Sequence, residues 1–112
     1  MRAPIISLAV CLVFGCTAMA QSTSDATRGQ HLFMTDGCYE CHGTVGQGGA
    51  GPRLAPDPLS ADLIAQYIRK PAAVMPPYVE KVVSDQDVRD IQAYLASINR
   101  PPLFKDIKLL AP

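Results

Sequence analysis

Two cysteines and a histidine that could together hold a prosthetic group lie within five residues of one another. Residues 38–42 read Cys-Tyr-Glu-Cys-His, the C-x-x-C-H pattern by which a c-type haem is attached to a protein. If the segment is helical, the thiols of Cys38 and Cys41 can each reach one vinyl group of the same porphyrin. The adjacent His42 would then point its imidazole at the iron. The motif predicts one covalently bound haem c, with His42 as an axial ligand.

The first twenty residues have the pattern of a secretory signal peptide. Arg2 gives a positive start, residues 5–14 are almost wholly apolar, and residues 18–20 form an A-x-A cleavage site. The apolar run is roughly half the ~20 residues that a membrane-spanning helix needs. We therefore expect cleavage after residue 20, and a periplasmic mature chain without a transmembrane segment.

The two other cysteines, Cys11 and Cys16, lie inside this leader and are expected to be removed with it. An alternative is a bacterial lipoprotein signal, in which Cys16 becomes a lipidated first residue and tethers the protein to a membrane. Phe14 is bulkier than the residue usual in such a signal. Cleavage at either place leaves Cys38 and Cys41 for the haem.

A redox-active dithiol and half of a zinc site are the two other interpretations of Cys38 and Cys41. A structural zinc site would need two more ligands at suitable spacing, and only His31 and His42 are present. The histidine directly after the second cysteine also separates the motif from a bare redox C-x-x-C. Haem attachment is therefore favoured, and His31 is expected to be a partly exposed residue of a helix.

Length and charge indicate one small domain without nucleic-acid binding. The 112 residues carry ten Lys plus Arg and ten Asp plus Glu, and no basic stripe is present. We assign residues 21–100 to the haem domain and residues 101–112 to a C-terminal extension. This extension mixes apolar residues with lysines and is expected to lie over the domain surface or to dock to a partner.

Helical periodicity predicts an all-α fold of three to four short helices, because no segment alternates as a strand does. The first helix covers residues 25–36, with Ser24 or Asp25 as its cap and Gly37 just past its end. The C-x-x-C-H segment supplies a short second helix.

The two later helices have clear boundaries. Ser60 caps one, which carries Leu63, Ile64, Tyr67 and Ile68 and ends before Pro71. Ser84 begins the last, with Asp87 completing a capping box. Its apolar stripe, flanked by Tyr94, is formed by Val88, Ile91, Leu95 and Ile98.

The loop after His42 contains a G-x-G-x-x-G pattern at Gly46, Gly48 and Gly51. A dinucleotide-binding fingerprint needs a strand before it and a helix after it, and neither is predicted here. The glycines are instead expected to let the chain turn tightly along the haem.

The chain from residue 25 to residue 98 resembles the class I cytochromes c, small monohaem electron carriers, in their compact bacterial form. In that family a glycine and an aromatic residue of the first helix cross an aromatic residue of the last helix, as Gly29, Phe33 and Tyr94 would here. The resemblance implies a cytochrome c fold wrapped around one haem, with the terminal helices crossing. It also gives Gly29 a role, because a residue without a side chain permits close helix approach.

Two further segments match the family. The sequence Gly-Pro-Arg-Leu at residues 51–54 matches a Gly-Pro-x-Leu, which implies that the Pro52 carbonyl accepts a hydrogen bond from His42 Nδ1. Met75, followed by Pro76, corresponds to the segment that supplies the sixth ligand. Met34 lies only four residues before Cys38, too close to cross the porphyrin, and is expected to be a core residue.

Other side chains are candidates for haem contact. Leu54 and Tyr67 are predicted to bind the cofactor, and the hydroxyl of Tyr78 could lie near Met75 or a propionate. Arg53, Arg69 and Lys70 could neutralise propionates or simply be solvated. The apolar shell is expected to comprise Phe33, Leu54, Ile68, Tyr94 and Leu95.

Ligation by His42 and Met75 would leave no open position on the iron, so an electron carrier is predicted rather than an enzyme. Its partners would be a donor dehydrogenase or cytochrome complex and an acceptor oxidase or reductase. Two alternatives are a dedicated cytochrome subunit of one periplasmic oxidoreductase, attached through residues 101–112, and a haem enzyme or gas sensor with a labile Met75.

Overall fold

The computed structural model describes residues 23–102 and 106–109. The predicted leader with Cys16 lies outside the described residues, as does half of the C-terminal extension. Within them the regular structure is four helices and no strand, so the all-α prediction is confirmed. The helices are α1 Ala26–Thr35, α2 Cys38–His42, α3 Ala61–Arg69 and α4 Asp85–Ser97. In this part of the chain, none of them is both long enough and apolar enough to cross a membrane.

The helices begin and end at the caps that the sequence predicts. Asp25 caps α1 by accepting hydrogen bonds from the backbone N–H of Thr27 and of Arg28, and Gly37 follows the helix in the left-handed region, with φ 77°. Ser60 accepts from a first-turn N–H of α3. Ser84 and Asp87 form both halves of the capping box of α4.

The crossing of α1 over α4 is the main helix contact of the fold. Gly29 lies directly against the main chain of α4: a Cβ at this position would be 1.9 Å from the Asp90 carbonyl oxygen and 2.8 Å from the Ile91 nitrogen. Any other residue would hold the helices apart. The close approach explains a glycine in the middle of a helix.

One turn further along α1, Phe33 enters the core that this crossing creates. Its ring is fully buried, with its centroid 5.7 Å from that of Tyr94 and the planes tilted by 55°. The stripe of α4 is buried as predicted at Val88, Ile91 and Leu95. The buried apolar core, within the described residues, consists of Phe33, Ala55, Val83, Val88, Ile91, Tyr94 and Leu95.

The prediction that Met34 is a core residue was wrong, since 36 % of it is exposed. Gly29 and Phe33, four residues apart, share the face of α1 that meets α4. Met34 is rotated by about 100° from Phe33 around the helix, which turns it away from that face.

A buried carboxylate joins the same two helices. Asp90 is only 2 % exposed, and its Oδ1 accepts from the Asp25 backbone N–H at 2.8 Å and from Gln86 Nε2 at 2.9 Å. Its Oδ2 accepts from Arg28, whose guanidinium also pairs with Asp87. The N-cap residue and the first turn of α1 are thereby fixed to α4 by hydrogen bonds to a charged group.

Helix α3 packs against α4 with Ile64 and Ile68 turned toward the core. It ends at Arg69, two residues before Pro71, as predicted. A non-helical segment that carries Met75 then leads to Tyr78, whose N–H donates to the Ile68 carbonyl at 2.8 Å.

Candidate functional site

Helix α2 carries the two cysteines and the histidine of the C-x-x-C-H motif. Both thiols are unpaired; that of Cys41 is exposed, and Cys38 is partly buried against the core. His42, at the last position of the helix, is only 8 % exposed. Residues three apart in a helix lie on neighbouring parts of one face, so both thiols are available on one side of α2.

The imidazole of His42 is oriented by the loop that follows it. Its Nδ1 lies 2.8 Å from the Pro52 carbonyl oxygen. A carbonyl can only accept, so Nδ1 carries a proton in this contact, and Nε2 is the nitrogen that can offer its lone pair to a metal. The hydrogen bond therefore sets both the tautomer and the direction of the metal-binding nitrogen.

The loop of residues 43–54, here called the histidine loop, holds Pro52 at this place by folding back over the end of α2. The N–H of Gly48 donates to the His42 carbonyl and that of Gly51 donates to the Cys41 carbonyl, both at 2.8 Å. A Cβ at Gly51 would lie 2.8 Å from His42 Cε1 and 2.9 Å from Nδ1. A glycine is needed at this position because the backbone runs directly along the imidazole.

Helix α4 fixes the start of the same loop. The hydroxyl of Tyr94 donates to the Thr44 carbonyl at 2.8 Å, two residues after His42. At the other end of the loop, the N–H of Leu54 donates to the Gly46 carbonyl at 2.8 Å, and its side chain packs on the core. The helix crossing and the histidine loop are therefore directly connected.

The surroundings of Cys38 do not favour the reactive thiolate that a redox dithiol needs. Burial, assisted by the nearby charge of Asp36, raises the pKa of the Cys38 thiol to about 11. Reactive cysteines of dithiol enzymes have lowered pKa values, since the thiolate is the nucleophile. The zinc alternative also lacks support: among the described residues, no three His, Cys, Asp or Glu side chains cluster as metal ligands.

Met75 is half-buried on the segment between α3 and α4, while its neighbour Val74 is 98 % exposed. Tyr67 and Leu63 are each about half exposed on α3, next to the face that Ile64 and Ile68 turn to the core. Helix α3 therefore has two adjacent apolar faces: Ile64 and Ile68 pack against the core, whereas Leu63 and Tyr67 are accessible to solvent.

Two side chains have partners that the sequence did not predict. The Tyr78 hydroxyl donates to the Asp36 carbonyl at 2.7 Å. Arg69 donates to the Tyr78 carbonyl at 2.9 Å and to Asp85 at 3.0 Å, so its guanidinium is already engaged within the protein. Arg53 and Lys70 are exposed, as is His31.

This donor set fits a c-type haem. Two unpaired thiols lie on the same helix as an imidazole whose Nδ1 is hydrogen-bonded, and a glycine backbone lies against that imidazole. These features, on an all-α fold with crossed terminal helices, are those of a c-type haem protein.

Comparison with protein families agrees with this class. The family described as cytochrome C oxidase, cbb3-type, subunit III matches residues 24–95, and the chain belongs to this family of cytochrome c domains. The match confirms the predicted cytochrome c fold and a haem-binding, electron-transfer role. Searches of curated proteins and of solved structures gave no significant match.

Proposed function

We propose that this protein is a periplasmic one-electron carrier with a single haem c, held by Cys38 and Cys41 and ligated by His42 and Met75. The observation that carries the proposal is the buried imidazole of His42, with its Nδ1 2.8 Å from the Pro52 carbonyl oxygen. A histidine held in this way presents Nε2 in a fixed direction, as an axial ligand requires.

When bound, haem supplies a one-electron change between ferrous and ferric iron. His42 and Met75 would both ligate the iron and would leave no coordination position open for oxygen or a substrate. An uncharged thioether opposite an imidazole favours the ferrous state and raises the reduction potential. A carrier role follows from this ligand pair, and catalysis at the iron would require Met75 to leave.

Leu54 and Tyr67 are proposed to contact the porphyrin. The support for Tyr67 is its position beside Leu63 on the accessible apolar face of α3, where an apolar cofactor would remove both side chains from water. Leu54 lies two residues after Pro52 and is half-buried against the core. Phe33, Tyr94 and Leu95 form the buried layer behind the site.

The iron ligands are tested by the visible absorption spectrum of the ferric holoprotein. We expect a weak long-wavelength iron–sulfur charge-transfer band in the native protein. Met75→Ala should abolish this band and allow added imidazole to bind, because it removes the thioether. Met34→Ala is the matched control, since Met34 is at the surface. A band that is absent from the native protein, or that survives Met75→Ala, would show that Met75 is not the ligand.

A second candidate function is that of a cytochrome subunit in one respiratory complex. The family description favours it, because it names a subunit of a cytochrome c oxidase. Gel filtration of the protein from its native source distinguishes the two. A free carrier elutes at the size of one chain, whereas a subunit remains with larger partners after mild detergent extraction.

A further inference from the structure

Tyr78 joins residues 71–78, the segment that carries Met75, to two other parts of the protein, the end of α1 and helix α3. Its hydroxyl donates to the Asp36 carbonyl at 2.7 Å, its N–H donates to the Ile68 carbonyl at 2.8 Å, and its own carbonyl accepts from Arg69 at 2.9 Å. The hydrogen bonds between this segment and the helices therefore converge on one residue, three positions after Met75.

The hydroxyl bond connects the Met75 segment directly to the haem-attachment motif. Asp36 is the C-cap of α1 and lies two residues before Cys38. The Tyr78 ring is half-buried and packs against the core, and this burial raises the pKa of its hydroxyl, which therefore stays protonated as the donor. The bond connects the Met75 segment to the Asp36 carbonyl, 42 residues earlier in the chain.

Arg69, the last residue of α3, binds Tyr78 through the backbone carbonyl of Tyr78. Its Nη1 donates to the Tyr78 carbonyl, and its Nη2 donates to Asp85 Oδ1 at 3.0 Å, at the first residue of α4. A planar guanidinium can serve two acceptors at once in a fixed geometry. The end of α3, the segment and the start of α4 are thereby connected.

The other residues of this segment, 71–77, form no hydrogen bond with the helices. Pro71, Pro76 and Pro77 have no N–H to donate, and Val74 is 98 % exposed. The place of Met75 in the fold therefore depends strongly on the contacts of Tyr78.

We propose that Tyr78 is the positioning residue for Met75, holding the thioether at the iron through its hydroxyl bond to the Asp36 carbonyl. This inference rests on the proposed function, because it requires Met75 as the sixth ligand. Loss of the hydroxyl would loosen the segment and let the thioether leave more often, without removing any group that touches the haem iron.

The test is Tyr78→Phe in the ferric holoprotein, with the rate of imidazole binding as the readout. This rate reports how often the sixth position opens. One neutral hydrogen bond contributes about 1 kcal/mol, which corresponds to a factor of about five in how often the sixth position opens. We expect imidazole to bind roughly fivefold faster, with the iron–sulfur band retained in the absence of imidazole.

The matched control is Ser97→Ala. It also removes a side-chain hydroxyl that donates to a backbone carbonyl, at 2.6 Å, but at the last residue of α4 and outside the haem site. It should leave imidazole binding unchanged. Arg69→Lys is a second test, since an ammonium on a flexible stem does not reproduce the two-acceptor fork; it should also speed binding, by a smaller factor.

The outcomes separate this inference from the proposed function. If the native protein lacks the iron–sulfur band, Met75 ligation fails and the inference fails with it. If the band is present but Tyr78→Phe and Ser97→Ala change imidazole binding equally, or neither changes it, only the positioning role of Tyr78 is overturned.

Discussion

Replacing Gly29 with alanine tests the helix crossing on which the haem domain is built. Two effects of opposite sign act at this position. Alanine is the better helix former, by about 1 kcal/mol. The added Cβ, however, would lie 1.9 Å from the Asp90 carbonyl oxygen and 2.3 Å from its carbon. The first distance is about 1.5 Å shorter than an ordinary contact.

This clash cannot be relieved by a side-chain rotation, because both atoms of Asp90 belong to the main chain. The helices must separate, which loosens the contact of Phe33 with Tyr94 and pulls Arg28 away from Asp90. Overpacking in a rigid core costs about 3 kcal/mol at the upper end of its usual range. After the gain in helix propensity, we expect a net loss of about 2 kcal/mol.

The assay is thermal unfolding of the holoprotein, followed by far-ultraviolet circular dichroism. A loss of about 2 kcal/mol in a domain of this size lowers the midpoint by roughly 8–16 °C. Gln30→Ala is the control, because Gln30 is exposed on the same helix and its change tests helix propensity alone. A Gly29→Ala protein as stable as the native one, or more stable, would refute the close crossing.

Two further substitutions test the histidine loop and the buried carboxylate. Gly51→Ala places a Cβ 2.8 Å from His42 Cε1. We therefore expect the His42 ring signals in the NMR spectrum to shift and the free energy of unfolding to fall by about 1–3 kcal/mol. Unchanged ring signals would contradict the contact. Asp90→Asn should cost about 2 kcal/mol at pH 7, measured by denaturant unfolding. Burial opposes ionisation of Asp90, but hydrogen bonds from the Asp25 N–H, Arg28 and Gln86 outweigh it and lower the pKa of the carboxyl from its ordinary value. The stabilisation by the ionised Asp90 is therefore present above about pH 4 and is lost as the pH falls through the lowered pKa. The difference in unfolding free energy between the native protein and Asp90→Asn should accordingly be smaller at about pH 3 than at pH 7. A difference that does not depend on pH would contradict the ionised pairing.

The local features of the fold could be predicted from the sequence because each depends on residues close together in the chain. The cap of α1 at Asp25 and the capping box of Ser84 and Asp87 are formed within three residues. The C-x-x-C-H motif is equally local, since its chemistry needs only one turn of helix. These patterns determined the helices and the class of cofactor.

Contacts between distant segments were harder to predict. The sequence suggested a role for Gly29 only through resemblance to a family, and it gave no sign that Arg28 would pair with Asp90, 62 residues later. Met34 was misplaced because a helix with few apolar residues does not show which side faces a partner until the crossing is known. The sequence did not single out Asp90, because nothing in its local pattern distinguishes it from the other aspartates of α4, Asp85 and Asp87.

What the sequence alone determined is the attachment motif, its neighbouring histidine and the boundaries of the helices around it. The tertiary structure decided how that motif is supported: the Pro52 carbonyl lies at the imidazole, as the family resemblance implied, and the Tyr78 hydroxyl lies at the Asp36 carbonyl, which the sequence did not predict. The physical reason is that a hydrogen bond needs two groups at about 2.7–3.2 Å in the right orientation, and side-chain types alone do not give that geometry. The chain must fold before Tyr78 and Asp36, 42 residues apart, can meet.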